Sequence, residues 1–224
     1  MKKVLLISIC AVLALSASAQ RASSSSSSFF STESSDQPIT FGIRGGVNFA
    51  NMTVEEGNVS YSPDSFTGFH VGMAVDIPLL ESIYIQSGLY YTVKGCKEED
   101  GSETLTYKPS FIELPILASY RYNFSDAVQL QINFGPYLAY GIGGKVKSEY
   151  KGRTEEIDFF GDEHDDNSVG AKRFDAGLQI GAGITLAQHY YVGCGYEFGL
   201  TSMGRNSDYK IKNKNFFISV GYNF

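Results

Sequence analysis

After Ala19 the sequence has no apolar run approaching the ~20 residues that a membrane-crossing helix needs, which excludes a helical membrane protein over that stretch. It has three cysteines and three histidines without CxxC or any Cys/His ligand spacing, which excludes a disulfide framework and a zinc site. Charged residues are scarce at 19%, against about 25% in ordinary globular chains, so less of the surface is built to face water. Cations are the scarcer sign, 18 Lys and Arg against 24 Asp and Glu, for a formal charge of -6. That balance argues against nucleic acid, whose phosphates need clustered Lys and Arg. Tryptophan is absent, yet the 224 residues include 15 tyrosines, 16 phenylalanines and 24 glycines.

Residues 1–19 have the form of a secretory signal: Lys2 and Lys3, an apolar core, and Ala17-Ser18-Ala19 before Gln20. Cys10 lies within the apolar core, away from the cleavage site where a lipoprotein signal would place it. Residues 20–37 are dominated by serine and cannot bury enough apolar area to offset chain entropy, so they are expected to form a flexible leader. The folded body is then 38–224.

From Ile39 the apolar pattern has period two, the spacing that sends alternate side chains to opposite faces of a strand. Eight segments show it, beginning near Phe41, Phe69, Ile83, Ile112, Val128, Phe174, Tyr190 and Phe216. One face is Ile, Leu, Val, Met and aromatic; the other is polar or glycine. A soluble sandwich or lipocalin-like barrel and a membrane barrel both alternate in this way. Loop lengths separate them. Connections at 80–82, 123–127 and 187–189 are short, and those at 51–65, 97–108, 145–170 and 202–214 are long, in strict alternation. Laid antiparallel, the outward aromatics gather at two levels, with Phe49, Phe69, Tyr91, Tyr140 and Phe174 near the long loops and Phe41, Tyr122, Tyr190, Tyr222 and Phe224 near the short turns. Interfacial girdles around a hydrocarbon band have this arrangement. The expected fold is all-β: an eight-stranded antiparallel transmembrane β-barrel of the small outer-membrane type.

The stretches Gly42-Ile43-Arg44-Gly45-Gly46-Val47-Asn48-Phe49, Gln86-Ser87-Gly88-Leu89-Tyr90-Tyr91, Phe111-Ile112-Glu113-Leu114-Pro115-Ile116, Gly135-Pro136-Tyr137 and Val220-Gly221-Tyr222-Asn223-Phe224 occur in the order and spacing of a known family. The chain resembles the PorT-like outer-membrane β-barrel family of Bacteroidetes. The resemblance implies a bacterial outer-membrane location after export, contact with outer-membrane lipids and lipopolysaccharide, and insertion by the outer-membrane assembly machinery. It also leaves open a PorT-like accessory role in protein secretion.

On this register Arg44, His70, Asp76, Lys94, Glu113, Arg121, Asp175 and Glu197 all face inward. An eight-stranded barrel has an interior only wide enough for side chains, and buried charges must be paired. The expectation is a polar network that fills the lumen. A triad of His70, a serine and Glu113 or Glu197 can be drawn, but no local motif supports it, and the expected function is non-enzymatic and cofactor-free. Asp162, Glu163, Asp165 and Asp166 form a candidate weak divalent-ion site in the third long loop, without EF-hand spacing. Lys210, Lys212 and Lys214 form a basic spot suited to lipid phosphates. Cys96 and Cys194 fall on non-neighbouring strands and are not expected to pair. The terminal strand, with Phe216, Tyr222 and Phe224 outward, has the form of an assembly signal. The long outer loops are expected to present an interaction surface to lipopolysaccharide or to an extracellular or envelope protein. A soluble exported ligand-binding barrel is the rival.

Overall fold

The computed structural model describes residues 37–56, 59–101, 103–161, 168–204 and 209–224. The signal segment, all of the leader except Gln37, and the acidic cluster Asp162, Glu163, Asp165 and Asp166 lie outside these residues.

The described residues form one sheet of twelve strands: β1 (Thr40–Glu56), β2 (Val59–Tyr61), β3 (Asp64–Leu80), β4 (Ile83–Val93), β5 (Cys96–Asp100), β6 (Glu103–Ser125), β7 (Val128–Tyr150), β8 (Arg153–Phe160), β9 (Ser168–Ala171), β10 (Phe174–Leu186), β11 (Tyr190–Gly199) and β12 (Tyr209–Asn223). The expectation of eight strands, all antiparallel, is therefore corrected to twelve strands with one parallel contact, between β8 and β9. The eight longer strands pair antiparallel in a circuit, β1-β3-β4-β6-β7-β10-β11-β12, which returns to β1 through Gly42↔Asn223 and Phe49↔Phe216. The four short strands pair outside that circuit at the long-loop end.

Those extra strands correct the reading of 97–108 and 145–170 as loops. β5 pairs with β6 from Cys96↔Tyr107 to Asp100↔Glu103, and β7 with β8 from Lys145↔Asp158 to Tyr150↔Arg153. Both faces of this extension carry polar residues, so it lacks the apolar alternation that marks a half-buried strand.

The circuit follows from the alternation. In β7 the run from Leu130 to Gly141 alternates exposed and buried at every step, with Leu130, Ile132, Phe134, Leu138 and Tyr140 outward and Gln131, Asn133 and Tyr137 inward. Shifting the register by one residue would turn the whole polar set outward. A closed ladder also satisfies the backbone without water, which lipid requires. The ladder is interrupted at mid-height. β4–β6 pairing skips from Ser87↔Ile116 to Tyr90↔Glu113, and β6–β7 pairing from Pro115↔Tyr137 to Ala118↔Phe134. Pro115 and Pro136 have no N–H to contribute there, and Ser87 Oγ donates to the Pro115 carbonyl at 2.8 Å.

At the short-turn end, Tyr84 Oη donates to Gln37 Oε1 at 2.5 Å. The β10–β11 turn places two consecutive non-glycine residues in the left-handed region, Ala187 at φ 48° and Gln188 at φ 65°. Tertiary contacts hold it: Ala187 N–H donates to Ala127 O at 2.8 Å, and Asn223 N–H to His189 O at 2.8 Å. Left-handed backbone disfavours residues with a Cβ. Gln188→Gly should therefore stabilise the barrel by roughly 0.5–1 kcal/mol, measured by denaturant unfolding of the heat-modifiable form. A loss of stability would show that the turn carries no such strain.

Candidate functional site

The eight residues assigned to the interior are all buried, Asp175 completely and His70 least at 9% exposed. They fall into two ionic groups with a neutral group between. Near the short turns, Asp76 from β3 lies 2.8 Å from Arg121 Nη2 of β6 and 3.6 Å from Arg44 Nη2 of β1, and accepts from Gln86 Nε2 at 2.9 Å. Each guanidinium also faces a ring, Arg44 over Tyr191 at 3.9 Å and Arg121 over Tyr84 at 4.2 Å, a cation–π arrangement that strengthens away from water.

Toward the long loops, Lys94 Nζ lies between Glu113 Oε2 of β6 at 2.5 Å and Glu197 Oε2 of β11 at 2.6 Å, with the Tyr137 ring 4.6 Å away. Asn215 Nδ2 of β12 donates to the same Glu197 oxygen at 3.1 Å. Asp175 has three neutral donors instead of a cation: Asn213 Nδ2 at 2.7 Å, Thr201 Oγ1 at 2.9 Å and Tyr137 Oη at 3.2 Å.

His70 occupies the middle. Its Nδ1 is 2.8 Å from Asn48 Oδ1 and its Nε2 is 3.0 Å from Ser219 Oγ, while Asn48 Nδ2 donates to Thr92 Oγ1 and to the carbonyls of Phe69 and Val93. This is hydroxyl, imidazole and orienting amide in line, with Asn48 where the drawn triad had Glu113 or Glu197. Acyl transfer would also need room for a substrate. The cavity beside His70 holds about 50 Å³, enough for ordered water, and all three side chains are buried. The arrangement acts as internal packing.

The two mouths differ. The short-turn mouth opens into a vestibule of about 620 Å³ bordered by Tyr84, Arg121, Gln129, Thr185 and Asn223. The long-loop mouth is closed by an apolar cluster that includes Met52, Phe111, Tyr137, Phe159, Phe160 and Met203. Phe159 and Phe160, at the end of β8, stand edge-to-face at 4.9 Å between ring centroids. A Cβ on Gly141 would come within 2.3 Å of the Phe160 ring, so a glycine there makes the notch that the ring fills. Nothing in the alternation marks these two rings, because they belong to a strand outside the circuit.

Cys96 is buried under the apolar cap and Cys194 is exposed on the outer wall; both are free thiols. Burial pushes the Cys96 thiol up to about 12, which makes it inert. Outward aromatics form rows in register: Tyr91, Ile112, Tyr140 and Phe174 are successive partners across β4, β6, β7 and β10. Phe216 and Tyr222 of β12 and Phe224 just after it face outward, and Phe224 N–H donates to Phe41 O at 2.8 Å. Lys212 lies 3.1 Å from Glu55, with Lys210 and Lys214 on the same face. Among the described residues outside the lumen, every Lys and Arg stands at the long-loop end, and the short-turn end has only Glu81 and Asp126.

A soluble sandwich or lipocalin-like barrel would bury its apolar face, whereas here the apolar face is outside and the polar face inside. That inversion defines a membrane β-barrel. The family model for the outer membrane protein beta-barrel domain matches residues 19–205, and the chain belongs to this family, whose setting is the outer membrane. No curated protein matches the sequence. Among solved structures, the chain is similar to Ail, the attachment invasion locus protein of Yersinia pestis, at 17% identity and a TM-score of 0.38, covering 86% of this chain and 100% of that one. It is similar to Neisserial surface protein A at 12% identity and a TM-score of 0.42, covering 84% and 100%. For the outer membrane protein OprG of Pseudomonas aeruginosa the identity is 11% and the TM-score 0.45, covering 83% and 95%.

Removing one member of a buried ion pair leaves the other charged and unpaired, at a cost of about 3–5 kcal/mol. Lys94→Met should destabilise the barrel by that amount, with part of the loss regained when Glu113→Gln and Glu197→Gln are added. Urea-induced loss of the folded gel band measures both. An unchanged midpoint in Lys94→Met would show that the ammonium does not hold the two walls together.

Proposed function

We propose that this protein is a non-enzymatic outer-membrane barrel with a filled lumen, exported through residues 1–19 and inserted through the eight-strand circuit. The sheet at its long-loop end presents a surface outside the cell to lipopolysaccharide or to an envelope or extracellular protein. The observation that carries this reading is the double obstruction of the interior, an ion-paired network spanning Arg44 to Glu197 and an apolar cap of Phe111, Phe159 and Phe160 above it. With transport blocked, the remaining chemistry is on the exterior. The motifs around Pro115 and Pro136 favour a PorT-like member, and for such a member the outer sheet would be the accessory surface in secretion.

Purified full-length protein in planar bilayers should give no stable open channel. Sustained conductance of a single size, abolished by charge reversal at Arg44 or Glu113, would replace the closed-lumen reading with a pore and locate its path.

The last strand supports the assembly role. An amphipathic strand ending in an outward aromatic can pair at an exposed edge before the barrel closes, and an open edge in lipid would leave backbone groups unsatisfied. Deleting Phe224 should sharply lower the amount of membrane-inserted protein, with periplasmic accumulation or degradation. Normal insertion with a small loss of stability would reduce Phe224 to an interfacial anchor.

A further inference from the structure

The short-turn vestibule of about 620 Å³ is walled mainly by hydrogen-bonding side chains. Asn123 of β6, Gln129 of β7 and Thr185 of β10 are successive partners across three neighbouring strands, so their inward side chains form one rung at the strand spacing of about 4.8 Å. Gln129 Nε2 donates to Asn123 Oδ1 at 2.8 Å, which leaves Gln129 Oε1 to accept and Asn123 Nδ2 to donate. Asn223 of β12 borders the same space and lies against Gly42, where a Cβ would come 2.7 Å from its Oδ1. Arg121, two residues deeper along β6, closes the floor.

Two of these side chains point to a ligand. Thr185 is 4% and Asn223 5% exposed, and among the described residues neither side chain has a hydrogen-bond partner. A buried hydroxyl or amide requires one, and both groups border the vestibule, from which it can come.

The wall narrows the chemistry of that ligand. Its formal charges are Arg121, whose guanidinium is 2.8 Å from Asp76, and Asp126, which leave an anion little to bind. An apolar ligand would strand the buried Thr185 and Asn223 groups, at the full cost of their desolvation. The closed circuit leaves no strand edge inside the mouth for a peptide to add to. A neutral sugar fits, because each of its hydroxyls both donates and accepts. An N-acetyl group adds one N–H and one C=O, which a side-chain amide can pair in both directions.

We propose that the vestibule binds a neutral, N-acetylated saccharide through Asn123, Gln129, Thr185 and Asn223. The space lies within the about 300–1,000 Å³ typical of small-ligand sites. This site is at the opposite mouth from the surface described above and outside the obstruction of the lumen. That the saccharide is a periplasmic one rests on the orientation in that reading; the binding itself does not.

The test uses the full-length protein folded in a phosphocholine detergent and titrated with the β1,4-linked disaccharide of N-acetylglucosamine, followed by saturation-transfer NMR. The native protein should give a saturable signal, and cellobiose and triglycine should bind much more weakly. Thr185→Val removes the hydroxyl at nearly constant shape and should weaken the apparent affinity several-fold. Asn123→Ala with Gln129→Ala should weaken it on the order of tenfold, and these more exposed positions keep the test decisive if Thr185→Val folds poorly. Lys151→Gln, at the outer hairpin tip, should leave it unchanged. A native chain that gives the folded, heat-modifiable band but no saturable signal would overturn the site. Equal affinity in the native protein and the wall variants would also overturn it. Equal affinity for cellobiose would overturn the choice of an N-acetylated sugar, and tighter binding of triglycine would replace the saccharide with a peptide. Failure of the native chain to give a folded band would overturn the membrane-barrel reading, and the site with it.

Discussion

Lys94, the residue just after β4, projects into the lumen and there meets Glu113 from β6 and Glu197 from β11, the latter also held by Asn215 of β12. The ammonium thus joins walls on opposite sides of the circuit, something the backbone ladder cannot do. The ladder fixes each strand only to its neighbours. Strand number and shear set the distance between walls, and cross-lumen ion pairs span and fill it. Tyr137 reaches both Lys94 and Asp175, and Arg44 and Arg121 lie against Tyr191 and Tyr84. In a soluble domain an apolar core would do this filling. Here the apolar side chains are assigned to lipid, so polar groups must fill the centre, and each must find a partner because an unpaired buried charge costs several kcal/mol.

The same strands serve two solvents. β6 and β7 each run 23 residues, longer than a hydrocarbon band requires. Below Ile112 and Tyr140 their outward face is Leu114, Ile116, Phe134 and Leu138; above, it changes to Ser110, Lys108, Lys145 and Lys147. The change occurs within one rung on β6, whereas on β7 the half-exposed Ile142 carries the apolar face a step past Tyr140. A strand that leaves lipid at a sharp level carries its pairing into water as a rigid ribbon, and short strands such as β5 and β8 can then add to it. The outer sheet is therefore continuous with the barrel wall and is held in fixed register with it.

Legibility in the sequence follows from this division. Period two was readable wherever one face met lipid and the other the lumen, and it assigned the inward residues from Arg44 to Glu197 because alternation alone determines the face. It could not identify partners. His70 was drawn with Glu113 or Glu197 and instead meets Asn48 and Ser219, since partner choice depends on strand stagger, which no single strand encodes. Thr201 reaches Asp175 from the turn after β11, where no period exists. The outer strands were read as loops because polar residues occur on both of their faces, with the buried Cys96, Phe159 and Phe160 confined to their ends at the cap. The left-handed Ala187-Gln188 pair is imposed by the tight hairpin that His189 N–H closes on Leu186 O at 3.1 Å, a turn that favours glycine or asparagine, so these two residues do not mark it.

The asymmetry between the mouths limits where function can reside. Phe159 and Phe160 come from β8, so the cap over the lumen is part of the same outer sheet that carries the basic rungs. Phe160 lies in the notch at Gly141, the residue opposite Phe111, and the bulge that follows brings Gly143 beside Ser110. The ion-paired layers lie below that cap. The physical consequence is a barrel whose interior contributes to its stability through paired charges, with the outer sheet and its cap held in register above it.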